Sequence, residues 1–127
     1  YQELGYLSTE HHESVSHTLD YAYSDFCIAS CAEKLGKIEI AKTYKVASQN
    51  YRHLFDAETG YMRARNGQGN FRPDFSPYSW GRDYTECSAI QATLGVLHDI
   101  PDLIQLMGGK EAFSRYLLKA CQEGSPL

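Results

Sequence analysis

The chain has 127 residues, 43% hydrophobic and 22% charged, an ordinary globular composition that suits one domain or a part of one. Sixteen acidic against twelve basic side chains give a net charge of -4, and the Lys and Arg residues are scattered rather than gathered into a stripe, which argues against a nucleic-acid partner. No run of about 18 apolar residues exists, so no membrane span is expected.

Residues 1–8 show neither a basic start nor an apolar core, so a signal peptide is not read there. The chain reads as a segment cut from a longer protein, and localisation stays open on these grounds.

From Glu13 to Leu35 apolar residues recur at Val15, Leu19, Ala22, Phe26 and Ala29, with a second row through Tyr21, Ile28, Ala32 and Leu35. This is helical spacing with two faces that call for burial. Gly36 supplies a stop, and a second helix is expected through Ala41, Tyr44, Ala47, Tyr51 and Leu54, making an αα-hairpin. Between Asp56 and Asp83 the periodicity gives way to Gly60, Gly67, Gly69, Pro73, Pro77 and Gly81, interleaved with Tyr61, Phe71, Phe75, Tyr78 and Trp80. Ordered loops of this length tend to line a site, and Tyr61, Tyr78 and Trp80 are candidates to stack on a ligand, against the plainer role of packing on neighbouring helices.

Helical signals resume at Tyr84 and run to about His98. Asp99 and Pro101 then open a short helix that stops at Gly108 and Gly109, and a last helix carries Phe113, Leu117, Ala120 and Cys121 on one face. No segment alternates over strand length, so the expected class is all-α. Cys27, Cys31, Cys87 and Cys121 lack CxxC spacing, and Cys27 and Cys31 are read as small apolar residues of a buried helix face rather than zinc ligands.

The segment RDYTECSAIQATLGVLHDIPDLIQLMGG, residues 82–109, carries the most information. It resembles the calcium-dependent, exo-acting α-mannosidases of glycoside hydrolase family 92. That family has a motif of the form Y-x-E-G-N-A-W-Q, then V-P-H-D, then a Gly-Gly stop. The matching residues are Tyr84, Glu86, Ala89 and Gln91, then Val96, His98 and Asp99, then Leu106, Gly108 and Gly109. The stretches ESVSHTLDYAYSDFCIASCAEKLGK and YRHLFDAETGYMRARNGQGNFRPDF are similar to the same family's helix pair and following loop, so the resemblance covers nearly the whole chain. Several such blocks in one order outweigh any single motif.

What the resemblance implies is specific. Residues 1–127 would be an internal segment of the catalytic (α/α)6 barrel, and the parent would release terminal α-linked mannose from mannose-containing glycans with inversion. Glu86 would be the general acid. The base, an aspartate of a downstream Gly-Asn-Asp block, is absent from this sequence. The Ca2+ ligands are expected elsewhere in the parent, with no metal site within these residues. The family suggests a secreted or periplasmic protein. The isolated segment is expected to be inactive, since inversion needs two carboxyl groups, and to self-associate through uncovered apolar surface. Tyr78 and Trp80 are the weak candidates for substrate contact. Cys87, Ser88, Ile90 and Leu97 stand where the family usually has Gly, Asn, Trp and Pro, which bears on linkage preference and activity.

Structural readings compete at each point. Asp83-Tyr84-Thr85-Glu86 fits a capping box, in which Glu86 folds back on the helix start. His98 and Asp99 also match the His-Asp core of metal-dependent phosphohydrolases, but no further ligands lie at helical spacing; Asp99 as a helix cap and His98 as a satisfied buried contact are favoured. His11, His12 and His17 read as a solvated helix entry. A non-enzymatic alternative is a tetratricopeptide-like peptide-binding scaffold, since residues 29–51 resemble one helical hairpin of such an array, although no second copy appears.

Overall fold

The computed structural model describes residues 1–123. The order is α1 (Ser14–Lys34), α2 (Ile38–Ala47), a 3-10 turn (Asn50–Leu54), β1 (Phe55–Asp56), β2 (Tyr61–Met62), α3 (Ala89–Ala92), a second 3-10 turn (Thr93–Gly95), α4 (Ile100–Leu106) and α5 (Lys110–Glu123). The chain is mostly helical, as expected of a segment of a helical glycosidase domain. No helix among the described residues is long and apolar enough to cross a membrane.

Two helices end as their glycines predict. After α1, Gly36 takes φ 73°, its N–H bonds the Glu33 carbonyl and the Lys37 N–H bonds the Ala32 carbonyl. After α4, Gly108 at φ 104° and Gly109 repeat the pattern onto the Gln105 and Ile104 carbonyls. Both are Schellman stops, in which a left-handed residue satisfies the last orphan carbonyls. Asp99 caps α4, its Oδ1 accepting the Asp102 N–H at 3.2 Å.

The core is one-sided. Val15, Leu19 and Ala22 of α1 pack with Tyr51, Leu54, Met62, Tyr84, Ile90, Val96 and Leu103. The second row of α1 is covered only at Ala32: Tyr21, Ile28 and Leu35 are exposed, as is Phe26 of the first row, because the described elements leave much of that side of the helix open. The expectation of buried thiols fails for the same reason. All four cysteines are free; Cys27 and Cys31 sit in an open apolar cleft of about 370 Å³ with Leu35 and Ile40. The second helix also stops earlier than its apolar spacing suggests, at Ala47. Tyr51 and Leu54 are fully buried, but from the 3-10 turn.

On α5 the packed row is Phe113, Tyr116 and Ala120, while Leu117 and Cys121 face outward. Tyr116 supplies the anchor, its hydroxyl donating to the Ile90 carbonyl at 2.7 Å.

The largest correction is the expected helix from Tyr84 to His98. Only Ala89–Ala92 is α-helical there. Residues 82–88 form a chain of turns whose polar backbone groups are engaged with α1 and the preceding loop rather than with each other. The long loop likewise contains a small antiparallel hairpin, with Phe55 opposite Met62 and Asp56 opposite Tyr61, too short to show alternation in sequence.

Candidate active site

The loop before the motif is ordered by stacked cations and rings. The Arg65 guanidinium lies 5.7 Å from the Tyr6 ring centre and 5.0 Å from that of Phe71; Arg63 lies 5.8 Å from Phe71 and 5.0 Å from Phe75. Phe75 then meets Tyr61 at 5.9 Å, and Tyr61 meets Tyr116 at 5.6 Å. Such contacts are each worth about 0.5–1 kcal/mol at exposed sites and more when desolvated. The same guanidiniums brace the backbone, Arg63 Nε donating to the Arg72 carbonyl at 2.9 Å and Arg65 Nε to the Gly69 carbonyl at 2.8 Å.

This ladder sorts the candidate stacking residues. Tyr61 is buried inside it and is a core residue. Tyr78 is half exposed, with its hydroxyl committed to Glu123 Oε2 at 2.6 Å. Trp80 is 60% exposed and makes no ring contact among the described residues, which leaves its face open to a ligand.

Glu86 sits on the turn that Trp80 leads into. The Gly81 N–H donates to the Cys87 carbonyl at 3.0 Å, so Trp80 and Glu86 stand just outside and just inside one closed loop. Glu86 is exposed, takes φ 50°, and its carboxylate accepts no hydrogen bond among the described residues. The capping-box reading is therefore overturned. Asp83 instead accepts a two-armed contact from Arg72, and the box is made five residues later, with the Ser88 N–H donating to Gln91 Oε1 at 3.1 Å. Ser88, where the family has Asn, thus retains a defined role as the start of α3.

Around this turn the side chains are inert or structural. Burial, followed by the Glu13 carboxylate, pushes the Cys87 thiol above its ordinary value, so it is no thiolate nucleophile. Tyr84 is buried, donates to the Met62 carbonyl at 2.7 Å, and is held in its neutral form chiefly by desolvation. His12 and His17 flank Glu13 at 3.4 and 3.6 Å on an exposed edge, in keeping with a solvated helix entry.

His98 packs among Tyr23, Phe26 and Tyr51, at ring separations of 6.0, 5.4 and 5.5 Å. Its Nε2 lies 2.7 Å from the Ser48 carbonyl, an acceptor, which assigns the proton to Nε2. Asp99 is used as a cap. Among the described residues no three His, Cys, Asp or Glu side chains converge closely enough to hold a metal ion. These residues therefore supply no cluster of carboxylates of the kind that holds Ca2+. A cleft of about 670 Å³ between the N-terminal segment, α1 and α2 is lined by Tyr1, Tyr21, Asp25 and Tyr44 among others, and none of Tyr78, Trp80 or Glu86 borders it.

A mostly helical segment thus presents an uncommitted carboxyl, Glu86, on a braced turn, with the exposed indole of Trp80 at the entry to that turn. The chain belongs to glycosyl hydrolase family 92: the description of that family's catalytic domain matches residues 1–126. The structure of an inverting mannosidase of this family from Bacteroides thetaiotaomicron VPI-5482 is similar with a TM-score of 0.90 and 42% identity, over 92% of this chain and 16% of that one. A family 92 α-mannosidase from Bacteroides thetaiotaomicron, solved in complex with mannoimidazole, gives a TM-score of 0.92 and 35% identity over 98% of this chain and 17% of its own. An uncharacterized secreted glycosidase of Arthroderma benhamiae is 29% identical over 136 residues, 88% of this chain and 17% of that protein. The chain thus spans about a sixth of the length of these relatives.

Proposed function

We propose that the protein carrying this segment is an exo-acting α-mannosidase that releases terminal α-linked mannose from glycans with inversion, and that Glu86 is its proton donor. The observation that carries this reading is the state of Glu86: exposed, on a left-handed turn with braced flanks, and engaged with none of its own backbone donors. The mannosidase relatives, one of them bound to mannoimidazole, supply the substrate class.

In this mechanism Glu86 gives its proton to the glycosidic oxygen as the bond to the anomeric carbon breaks. A second carboxylate, on the far side of the sugar and about 6.5–9.5 Å away, takes a proton from the water that attacks that carbon. The second carboxylate, the calcium ligands and the remaining walls of an (α/α)6 barrel are assigned to the rest of the parent. A general acid must stay protonated near neutral pH, and the apolar burial or neighbouring carboxylate that would do this for Glu86 is assigned there too, since these residues leave it exposed. Trp80 is assigned to stacking on the sugar face, with Tyr78 beside it held by Glu123.

The test compares the full-length protein with its Glu86→Gln and Trp80→Ala variants on an α-mannobioside and on an aryl α-mannoside with an activated leaving group. Glu86→Gln is expected to lose about 100-fold or more on the mannobioside and far less on the activated substrate, because the latter needs little protonation. Trp80→Ala should raise KM on both. Unchanged mannobioside turnover by Glu86→Gln removes the assignment.

A further inference from the structure

Three residues other than glycine hold a left-handed backbone among those described: Glu13 at φ 54°, Arg82 at 55° and Glu86 at 50°. Strained residues of this kind persist only where their surroundings over-determine them, and they gather at working sites. Here all three belong to one patch, although some seventy residues of chain separate Glu13 from the other two.

Glu13 precedes α1 in the capping position, yet its side chain does not cap the helix. The segment 82–85 does that work instead. The Arg82 carbonyl accepts the Glu13 N–H at 3.0 Å and the Asp83 carbonyl accepts the Val15 N–H at 3.1 Å. Two bonds run the other way: the Thr85 N–H donates to Ser16 Oγ at 2.8 Å, and the Thr85 hydroxyl donates to Glu13 Oε2 at 2.7 Å. The start of α1 and the segment leading to Glu86 therefore satisfy each other's polar groups.

Glu86 is the next residue. Thr85 on its N-terminal side is tied to α1 at two atoms, and Cys87 on its C-terminal side is tied to Gly81. With both flanks held, the direction of the Glu86 Cα–Cβ bond is set before any substrate arrives.

We infer that Thr85, together with Glu13 and Ser16, is a positioning device for the proton donor, holding the left-handed turn so that the Glu86 carboxyl meets the glycosidic oxygen. The inference rests on the reading of Glu86 as that donor. Thr85 does not itself touch the sugar; it acts through the backbone of its neighbour. Misplacement by about 1 Å can cost on the order of 100-fold in rate, and that cost falls on the step that needs the proton.

The experiment uses the full-length enzyme and the two substrates named above. Thr85→Val keeps the size of the side chain and removes the hydroxyl. It is expected to lower kcat on the mannobioside by about 10–100-fold with KM changed less than about 2-fold, and to leave the activated aryl mannoside within about 2-fold. Thr85→Ser should restore the mannobioside rate. On a Glu86→Gln background Thr85→Val should add nothing, since both changes remove the same function. Equal losses on the two substrates, or a further loss on the Glu86→Gln background, would overturn the inference.

If Glu86→Gln is selective and Thr85→Val is not, the positioning role alone fails. If Glu86→Gln itself leaves the mannobioside rate intact, the donor reading fails and takes the device with it. Should Thr85→Val not yield folded enzyme, Ser16→Ala removes the acceptor of the Thr85 N–H and carries the same readouts.

Discussion

Arg72 and Asp83 meet through two parallel hydrogen bonds, Nε to Oδ2 and Nη2 to Oδ1, both at 2.9 Å. This contact joins the middle of the aromatic loop to the start of the turn that carries Glu86. Asp83 is buried and Arg72 largely so, which lifts the pair out of the class of surface ion pairs that contribute little.

Breaking that pair leaves a buried carboxylate with only the more distant Arg82, 3.6 Å away. Arg72→Leu is expected to lower the stability of the helical domain by about 3 kcal/mol. Arg72→Lys should recover only part of it, because an ammonium cannot span both oxygens. Urea unfolding of the full-length protein and the two variants checks both statements.

Thr93 is fully buried, and its hydroxyl links two elements: it accepts the Met62 N–H at 2.9 Å and donates to the Ala89 carbonyl at 2.7 Å. Thr93→Val preserves shape and orphans the Met62 donor. A loss of about 1–3 kcal/mol is expected, with Thr93→Ser recovering the hydrogen bonds but not the methyl packing. The unfolding midpoints of the two variants should rank in that order; a silent Thr93→Val would mean that the hairpin and α3 are not coupled through this hydroxyl.

The hairpin turn responds to acid. Burial pushes the Asp56 carboxyl up, but the Thr59 hydroxyl, Arg63 and the Glu58 N–H together outweigh it, so its pKa falls below the ordinary carboxylate value. A group lowered on folding adds stability that is complete above its unfolded pKa, about 3.9, and that disappears as pH falls through the folded value. Asp56→Asn should therefore be less stable than the parent at pH 5–7, with the gap closing below about pH 4. Stability measured for both proteins between pH 3 and pH 7 tests the sign, and a gap that widened in acid would reverse the argument.

Expressed alone, residues 1–127 should turn over no aryl α-mannoside, because inversion needs a second carboxylate. The uncovered side of α1 and α2, with Phe26, Ile28, Leu35, Ile38 and Val46 exposed, should drive self-association, visible as a concentration-dependent shift in size-exclusion chromatography. A monomer at every concentration, or measurable turnover, would contradict these expectations.

Much of this was legible in the sequence because it is local. The stops at Gly36 and Gly108, the cap at Asp99 and the buried row from Val15 to Ala22 all follow from residues a few positions apart, where backbone geometry and helical spacing decide the outcome. The family was carried by the order of several short motifs rather than by any physical pattern.

Tertiary structure decided the rest. Helical spacing alone extends from Tyr84 to His98, but the start of α1 claims the polar groups of residues 82–85, and a segment hydrogen-bonded outward cannot also close an α-helix. Five loop rings look equivalent in sequence, yet only the Arg63 and Arg65 ladder consumes Phe71 and Phe75 and buries Tyr61, leaving Trp80 open. The contact between Thr85 and Glu13 joins positions seventy-two apart, a distance over which a single sequence carries no trace of which hydroxyl finds which carboxylate.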